Sequence, residues 1–322
     1  MTTDALASSN PGTEPSPPSG SDAGRPKVTR VVSSKITLGR RVKNIWDSRE
    51  LLRNLISTEI KVKYKGSVLG LLWSMVAPAM TLVIFWFVFG VVLRNGIPNF
   101  VIFLFSGLLF WNFFQLGVQT ATGIIVARSG IVKKVAFPRE ILALACVGTA
   151  GVFLFFQTIV LVIFMVVLGA SPDWPMVPLL FVTIFGVALI SSALGIALSA
   201  INVYLRDMSH LIEVILTAWF WACPIVYSYA SSIAPHLHHQ FLKILYLLNP
   251  MTPVVLTSQR VIYATTYIHL TTGKHPGQQI LPTWSSGTFI LMNLGIVAFG
   301  LILMVIALII FGRLEGNFAE EL

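Results

Sequence analysis

The sequence predicts an all-α integral membrane protein with six transmembrane helices and with both termini in the cytoplasm. Hydrophobic residues make up 55% of its 322 residues and charged residues only 11%, whereas a soluble domain carries about 25% charged residues. Between residues 141 and 205 the only Asp, Glu, Lys or Arg is Asp173. Such long uncharged stretches are typical of helices that cross a bilayer.

The six predicted spans form a transmembrane domain over residues 67–313, and a cytoplasmic tail follows at 314–322. Each span is an apolar stretch close to the roughly 20 residues that cross the hydrocarbon core. They cover residues 71–93, 100–122, 141–168, 176–200, 211–229 and 288–311. In the fourth span, Ser191, Gly195 and Ser199 recur at four-residue spacing, which favours close packing between helices.

The distribution of basic residues predicts the orientation. With the N-terminus inside, 18 of the 22 Lys and Arg residues lie in the cytoplasm and four lie outside. Because Lys and Arg accumulate in cytoplasmic segments, we expect the N-terminus inside and, after six spans, the C-terminus inside as well. The net charge of +9 then reflects membrane orientation, and no nucleic-acid partner is expected.

The chain before the first span divides into two segments. Residues 1–30 are rich in Ser, Pro, Gly, Thr and Ala and contain no aromatic residue, which predicts a disordered cytoplasmic tail that extends to residue 40. Residues 41–66 predict an amphipathic helix, because Asp47 and Glu50 have capping-box spacing and apolar residues then recur at helical spacing beside basic ones. This pattern favours a helix in the membrane interface, and a cytosolic helix packed on a partner is the alternative.

The inner loops carry a candidate docking element. Residues 123–140, between the second and third spans, are long enough for a short amphipathic helix that a soluble partner could contact. In the next inner loop, adjacent opposite charges lie where the chain re-enters the membrane. The candidate contact residues are Arg128, Ile131, Lys133, Lys134, Val135 and Phe137 in the first loop and Arg206 and Asp207 in the second.

The outer segment at residues 230–286 is too long for a simple hairpin loop. It contains two short apolar pieces, neither of which can span the membrane, and they are broken apart at Asn249-Pro250 and before Pro253. Short apolar helices around a breaker predict a re-entrant helical hairpin, which is tolerated where protein covers its backbone. An amphipathic loop on the outer surface is the alternative.

Aromatic and amide side chains are the candidates for a substrate path, since the predicted spans offer almost no charged group at mid-membrane. Aromatic rings pack against the C–H-rich faces of sugar rings without buried charge, so such a path is compatible with a glycan. The alternative is that these rings face lipid, the interface or neighbouring helices. The candidates are Trp86, Trp111, Gln115, Gln119, Trp219, Trp221 and Tyr227.

Other kinds of site find little support in the sequence. A phosphate-binding loop of the form GxxxxGK[ST] is absent, and the one Gly-Lys pair, at 273–274, is followed by His275. The histidines at 236, 238 and 239 have no carboxylate near them, so a solvated loop is favoured over a metal site. We therefore expect no metal and no catalytic residue in this chain.

The order of several motifs resembles the permease subunits of type-two ABC exporters of cell-surface polysaccharides, the Wzm and TagG group. The resemblance covers about residues 45–320 and begins with the amphipathic helix. The motifs that follow are Tyr64 to Trp73 leading to Pro78, Phe137-Pro138-Arg139-Glu140, Asn202 with Arg206-Asp207, Pro224-Ile225 with Tyr227, and Asn249-Pro250.

The resemblance implies a homodimer in the bacterial inner membrane, joined by two copies of a separate ATP-binding subunit. That subunit would hold ATP and Mg²⁺, and this chain would hold no cofactor. Residues 128–138 would be the coupling helix, and 230–286 would contain re-entrant helices near the exit. The implied substrate is a polyprenyl-diphosphate-linked polysaccharide of galactan, O-antigen or teichoic-acid type, and the resemblance is nearest to exporters of galactan.

Three other functions are alternatives to this one. A permease for small molecules or drugs would share the superfamily fold and would need no carrier lipid. An ion-coupled carrier is disfavoured because it usually needs ionisable residues at membrane depth. A membrane enzyme is disfavoured because acidic or His residues do not cluster at one face.

Overall fold

The computed structural model describes residues 38–67, 69–92, 96–135, 137–235, 239–264, 267–268 and 278–322. Of the tail predicted at residues 1–40, only 38–40 are described, and they begin a helix. Of the three loop histidines considered as a metal site, only His239 lies within the described residues.

Five helical segments in the described residues are long and apolar enough to cross a membrane. A helix can cross because it satisfies all of its backbone hydrogen bonds internally. The five coincide with the first, second, third, fourth and sixth predicted spans, and these predictions are confirmed. They are α3 (Trp73–Phe85) with the π-helical turns Trp86–Val92, α4 (Phe100–Ala127), α6 (Glu140–Val167), α7 (Val177–Tyr204) after the 3₁₀ turn Trp174–Met176, and α11 (Ser286–Leu314) before the 3₁₀ turn Glu315–Asn317.

The helix at the fifth predicted span is shorter than predicted. This helix, α8, runs from Met208 to Trp221 and has 14 residues, so it rises about 21 Å, less than the roughly 30 Å of hydrocarbon core. The helix predicted to reach residue 229 ends at Trp221 because Pro224 follows, and a proline lacks the N–H that a continuing helix needs. A separate π-helical turn then covers Tyr229–Ile233.

A bent pair of helices lies between α8 and α11. The first, α9, is Gln240–Leu248, and the second, α10, is Met251–Ser258, which continues as π-helical turns over Gln259–Tyr263. Their axes bend by 81° at the break, so the breaker predicted at Asn249-Pro250 is present. By length and composition the pair is either one broken span or a re-entrant loop.

The segment predicted as one amphipathic helix at 41–66 forms two. They are α1 (Leu38–Asp47) and α2 (Arg49–Lys63), separated at Ser48. The predicted capping box is wrong, because Ser48 is the N-cap of α2 and makes no side-chain capping bond. Its hydroxyl donates instead to the carbonyl oxygen of Asn44 at 2.8 Å, which holds it to the end of α1.

Glycines let the long helices approach closely. A Cβ on Gly195 of α7 would lie 2.7 Å from Cβ of Ala121 on α4, and one on Gly186 would lie 2.8 Å from Ile296 of α11. Either distance is too short for an added carbon, so these positions admit only glycine without a shift of the helices. The close packing predicted for the fourth span is therefore confirmed.

Three further short elements, two strands and a C-terminal helix, lie outside the long helices. The strands β1 (Tyr267–Ile268) and β2 (Gln278–Gln279) pair antiparallel, a small exception to the predicted all-α fold. At the C-terminus, α12 (Phe318–Glu321) turns back so that the fully buried Phe318 packs against Phe311 of α11 and Tyr204 of α7.

Candidate functional site

The predicted docking element is a short helix whose outer face is open. This helix, α5, covers Ser129–Lys134 and follows the end of α4. Val132 is its buried anchor, whereas Ile131 is 40% exposed and Val135, just after the helix, is 54% exposed. Lys133 and Lys134 are exposed as well. The helix therefore presents apolar and basic side chains outward.

An ion pair fixes the N-terminal end of α5. The Arg128 guanidinium donates to the carboxylate of Glu59 on α2, and both side chains are partly exposed. At the other end, Phe137 is half-buried against the inner hydrophobic core. Among the three apolar residues predicted to contact a partner, Ile131 and Val135 are thus more available than Phe137.

The second inner loop is also exposed. Both Arg206 and Asp207 lie at the surface between α7 and α8. Their loop is held by Asn202, a buried residue at the end of α7 whose side-chain oxygen accepts a hydrogen bond from the backbone N–H of Ser209 at 3.2 Å.

A buried ion cluster, which the sequence did not predict, joins three distant segments beside α5. We call Arg41, Glu140 and Glu315 the inner ion cluster. Arg41 of α1 is only 7% exposed and forms ion pairs with Glu140, the first residue of α6, and with Glu315 at 3.0 Å. Burial by itself lowers the pKa of Arg41, but the two carboxylates outweigh that effect and leave the pKa raised.

The residue before Glu140 strengthens the same junction. The Arg139 guanidinium donates to the carbonyl oxygen of Glu315 at 3.0 Å and lies 5.7 Å from the centre of the Phe318 ring. The chain that leaves α5 is therefore fixed both to α1 and to the C-terminal segment. The sequence pointed to Arg139 and Glu140 only as part of the motif Phe137-Pro138-Arg139-Glu140 that carries the family resemblance, and nothing in it pointed to Arg41 as their partner.

Aromatic rings from α4 and α8 form one cluster. The Trp111 ring centre lies 5.7 Å from that of Phe220, and the Phe114 centre lies 5.3 Å from that of Trp219. Trp111 is 1% exposed, and its indole N–H donates to the side-chain oxygen of Gln115 at 2.8 Å. Within one chain, Trp111 is therefore packed inside the bundle.

The other predicted path residues differ in exposure. Trp86 and Trp221 are 45% and 54% exposed, and Gln119 is half-buried. The Tyr227 hydroxyl donates to the carbonyl oxygen of Trp221 at 2.8 Å, and its oxygen lies 3.3 Å from that of Tyr246. The role of all seven residues in a path stays a prediction.

Asn249 connects the aromatic cluster to the bend between α9 and α10. Its side-chain oxygen accepts from the Trp219 indole N–H at 2.8 Å and from the Met251 backbone N–H at 3.1 Å. Its amide nitrogen donates to the sulfur of Cys223 at 3.4 Å. Pro250 is the N-cap of α10, and Pro253 lies in the first turn of that helix, where a proline is tolerated.

The second arm of the bend is held by buried polar contacts. All eight residues of α10 are buried. Asn293 of α11 donates to the Thr257 hydroxyl at 2.9 Å and accepts from the Thr183 hydroxyl of α7 at 2.7 Å. Near the outer end, Arg260 pairs with Asp173 at 3.3 Å. The arm is therefore fixed to both neighbouring helices, whereas α9 leaves apolar side chains exposed.

Within the described ranges, no group of three or more His, Cys, Asp or Glu side chains is placed to hold a metal ion. What the described site offers is the exposed face of α5, an aromatic cluster between α4 and α8, and a bend at Asn249 that hydrogen bonds hold.

Comparison with known proteins agrees with this arrangement. The family model described as ABC-2 type transporter matches residues 50–263. The chain is 32% identical over 225 residues to an O-antigen export system permease protein RfbA of Myxococcus xanthus, covering 70% of this chain and 84% of the relative. It is 28% identical over 274 residues to a protein of that name from Klebsiella pneumoniae, covering 85% of this chain and 95% of the relative. The chain therefore belongs to the ABC-2 type transporter family.

Proposed function

We propose that this chain is the permease subunit of an ATP-driven exporter that moves a lipid-linked polysaccharide across the bacterial inner membrane. The observation that carries the proposal is α5, a short helix of an ABC-2 family chain that exposes Ile131, Lys133 and Val135. Such a helix suits docking onto a separate ATP-binding subunit, which would supply ATP and Mg²⁺. Arg206 and Asp207, also exposed, extend the proposed contact.

The polysaccharide substrate is inferred from the relatives and from the chemistry of the spans. Two relatives are named as O-antigen export permeases. The aromatic cluster of α4 and α8 continues to the exposed Trp221, whose ring centre lies 5.3 Å from that of Phe220. Rings with polar amides nearby suit a hydroxylated chain that carries little charge. A polyprenyl-diphosphate carrier and a galactan, O-antigen or teichoic-acid polymer belong to the same proposal.

The proposal includes a homodimer with both termini in the cytoplasm. The helix α8 exposes Leu211, Val214 and Trp221, and α3 exposes many apolar residues as well. These faces would meet lipid or the second copy, so that a conduit could form between two chains. The bent pair would re-enter from the outside, since protein covers α10 on all sides, as backbone at membrane depth requires when it is not one continuous helix.

Transport into sealed vesicles tests the function. The chain and its proposed ATP-binding subunit are placed in inverted membrane vesicles with radiolabelled polyprenyl-linked glycan. We expect ATP-dependent protection of the glycan inside the vesicles and no effect of a protonophore. Transport without the ATP-binding subunit, or collapse with the protonophore alone, would contradict the proposal.

The same preparation separates a glycan exporter from a small-molecule exporter. ATP hydrolysis by the complex should rise with lipid-linked glycan and stay unchanged with apolar drugs. The purified chain by itself should hydrolyse no ATP, because it lacks a phosphate-binding loop. Stimulation by apolar compounds with no movement of glycan would favour the small-molecule permease.

A further inference from the structure

A cleft with aromatic, aliphatic and polar walls lies beside the π-helical turn Tyr229–Ile233. We call this cavity of about 370 Å³ the outer cleft, and it is lined by that turn, by α9 and by the segment 279–284. Its volume falls within the roughly 300–1,000 Å³ of small-molecule sites. The lining residues that the argument uses are Tyr229, Lys243, Gln279, Thr283 and Trp284.

We propose that the outer cleft binds a sugar unit, neutral or acidic, through the Trp284 ring and the polar groups of Lys243, Gln279 and Thr283. That this sugar belongs to the exported polymer rests on the proposed function, whereas the binding itself does not. The cleft would hold the glycan where it leaves the transmembrane domain and would oppose its return.

The aromatic wall of the outer cleft is held in place by other rings. The Trp284 ring centre lies 5.7 Å from that of Tyr229 and 5.9 Å from that of Phe289, and Tyr229 stacks on Tyr246 at 5.7 Å. Ser228, beside Tyr229, donates to the carbonyl oxygen of Ile280, which ties the segment 279–284 to the turn. A ring fixed in this way can receive the apolar face of a sugar with little loss of side-chain freedom.

The polar wall offers the groups that sugar hydroxyls need. The Lys243 ammonium donates, the Thr283 hydroxyl donates and accepts, and the Gln279 amide carries both functions. Gln279 is oriented by its own amide nitrogen, which donates to the carbonyl oxygen of Leu281 at 3.0 Å. Residues 230–286 contain no Asp or Glu, so Lys243 would also favour a carboxylate or phosphate on the sugar.

A second cavity on the same molecule shows what a lipid-binding cleft would look like. This cavity of about 270 Å³ is lined by Trp86 and by six aliphatic or Phe side chains, among them Leu82 and Phe164. An acyl chain fits such walls. In the outer cleft the same chain would displace water from the Lys243 ammonium and the Thr283 hydroxyl without replacing its hydrogen bonds, which is costly. The chemistry of the outer cleft therefore favours a sugar over a lipid tail.

Saturation-transfer NMR on the full chain in detergent tests the site. The probes are D-galactose, D-mannose and D-glucuronic acid, with an alkyl phosphocholine as the lipid control. We expect transfer to at least one sugar, a loss of about tenfold in its affinity on Trp284→Ala, and partial recovery with Trp284→Phe. The matched control is Trp174→Ala, because Trp174 is 70% exposed and does not line the cleft.

A second variant, Lys243→Gln, and competition with the phosphocholine complete the test. Lys243→Gln should lower the preference for glucuronic acid over galactose while leaving the aromatic wall intact, and it serves if Trp284→Ala does not fold. Absence of transfer to every sugar from folded wild-type chain, or equal transfer from all variants, would overturn the proposal. Competition by the phosphocholine at the sugar site would overturn it in favour of a lipid.

The failure of this proposal is distinguishable from failure of the proposed function. Sugar binding is measured on the isolated chain without ATP, whereas export needs the ATP-binding subunit and sealed vesicles. Export by a chain that binds no free sugar would contradict sugar binding in the outer cleft and support the proposed exporter function. Sugar binding by a chain that exports no glycan would support the site in the outer cleft and contradict the proposed function.

Discussion

At the scale of single residues, the Arg41 guanidinium has the environment in which a substitution is most informative. It lies buried between two carboxylates from distant parts of the chain, Glu140 and Glu315. A buried ion pair is weak evidence for stability as a whole, because removing ions from water offsets their attraction. Removing one partner is different, since the remaining charge stays buried and unpaired.

We expect Arg41→Ala to lower the free energy of unfolding by about 3–5 kcal/mol, because Glu140 would be left buried without its partner. Chemical denaturation of the purified chain in detergent measures this change. The matched control is Arg40→Ala, since Arg40 is adjacent and exposed. Equal unfolding of the two variants would count against the inner ion cluster as a structural interaction.

The tryptophans predicted to line a path should differ in how much their replacement by alanine destabilises the chain. Trp111→Ala should lower the free energy of unfolding by about 3–5 kcal/mol, because it leaves a cavity at a fully buried position. Trp221→Ala should leave stability within about 0.5 kcal/mol, since that side chain is 54% exposed.

Export then decides the role of Trp221. If it lines the conduit, Trp221→Ala should reduce glycan transport while Trp221→Phe largely restores it, since stacking needs a ring face. Unchanged export by Trp221→Ala, in a chain of normal dimer yield, would remove Trp221 from the path. A destabilised Trp221→Ala with intact Trp111→Ala would contradict the assigned burial.

At the scale of elements, α5 and the bent pair differ in how much of their surface the rest of the described chain covers. The proposed docking helix α5 has one buried side chain, Val132, and its N-cap Arg128 forms an ion pair with α2, so most of its surface is open. In the bent pair, α10 is buried along its whole length while α9 exposes Phe241, Ile244 and Leu248. The two arms of the bent pair therefore differ in how much of their surface the rest of the described chain covers.

We expect Ile131→Asp or Val135→Asp to weaken binding of the ATP-binding subunit by about 100-fold or more, because an unpaired charge would be buried at the contact. Affinity between the purified subunits measures the effect. The control is Val62→Asp on α2, since Val62 is 56% exposed and is not among the predicted contact residues. Normal affinity of both α5 variants would exclude this helix as the main contact.

At the scale of the whole molecule, α1 and α2 pack on the long helices of the described chain. Ile56 of α2 approaches Gly148 so closely that a Cβ there would lie 2.4 Å from its terminal methyl group. Lys63 lies 4.4 Å above the Phe153 ring, and burial lowers the pKa of its ammonium group. Glu59 and Arg41 add ion pairs to α5 and α6.

Truncation tests this arrangement. Deleting residues 1–30 should leave export nearly unchanged, because their composition cannot support an ordered core. Deleting through Lys65 should abolish export, since it removes Arg41, Glu59 and the contacts on α6. Glycan transport and the yield of membrane-inserted chain are measured together, and equal behaviour of the two deletions would contradict the boundary.

Local sequence by itself determined the class of this protein and the position of five long helices. Uncharged stretches of about 20 residues have one stable form in lipid, because only a helix satisfies its backbone groups there. The Asn249-Pro250 break and the short helix at Ser129–Lys134 were equally local, since proline and amphipathic spacing act within a turn or two. The small residues of the fourth span, at four-residue spacing, likewise predicted the close packing of that helix.

Only the tertiary structure decided the contacts between distant segments. The bonds from Arg41 join residues 99 and 274 positions apart, and Trp219 meets Asn249 30 positions away. No periodicity encodes such pairs, because each partner looks like an ordinary polar residue until helix packing brings it near the other. The burial of Trp111 and the exposure of Trp221 were decided in the same way, since apolar residues in a membrane protein do not reveal whether they face protein or lipid.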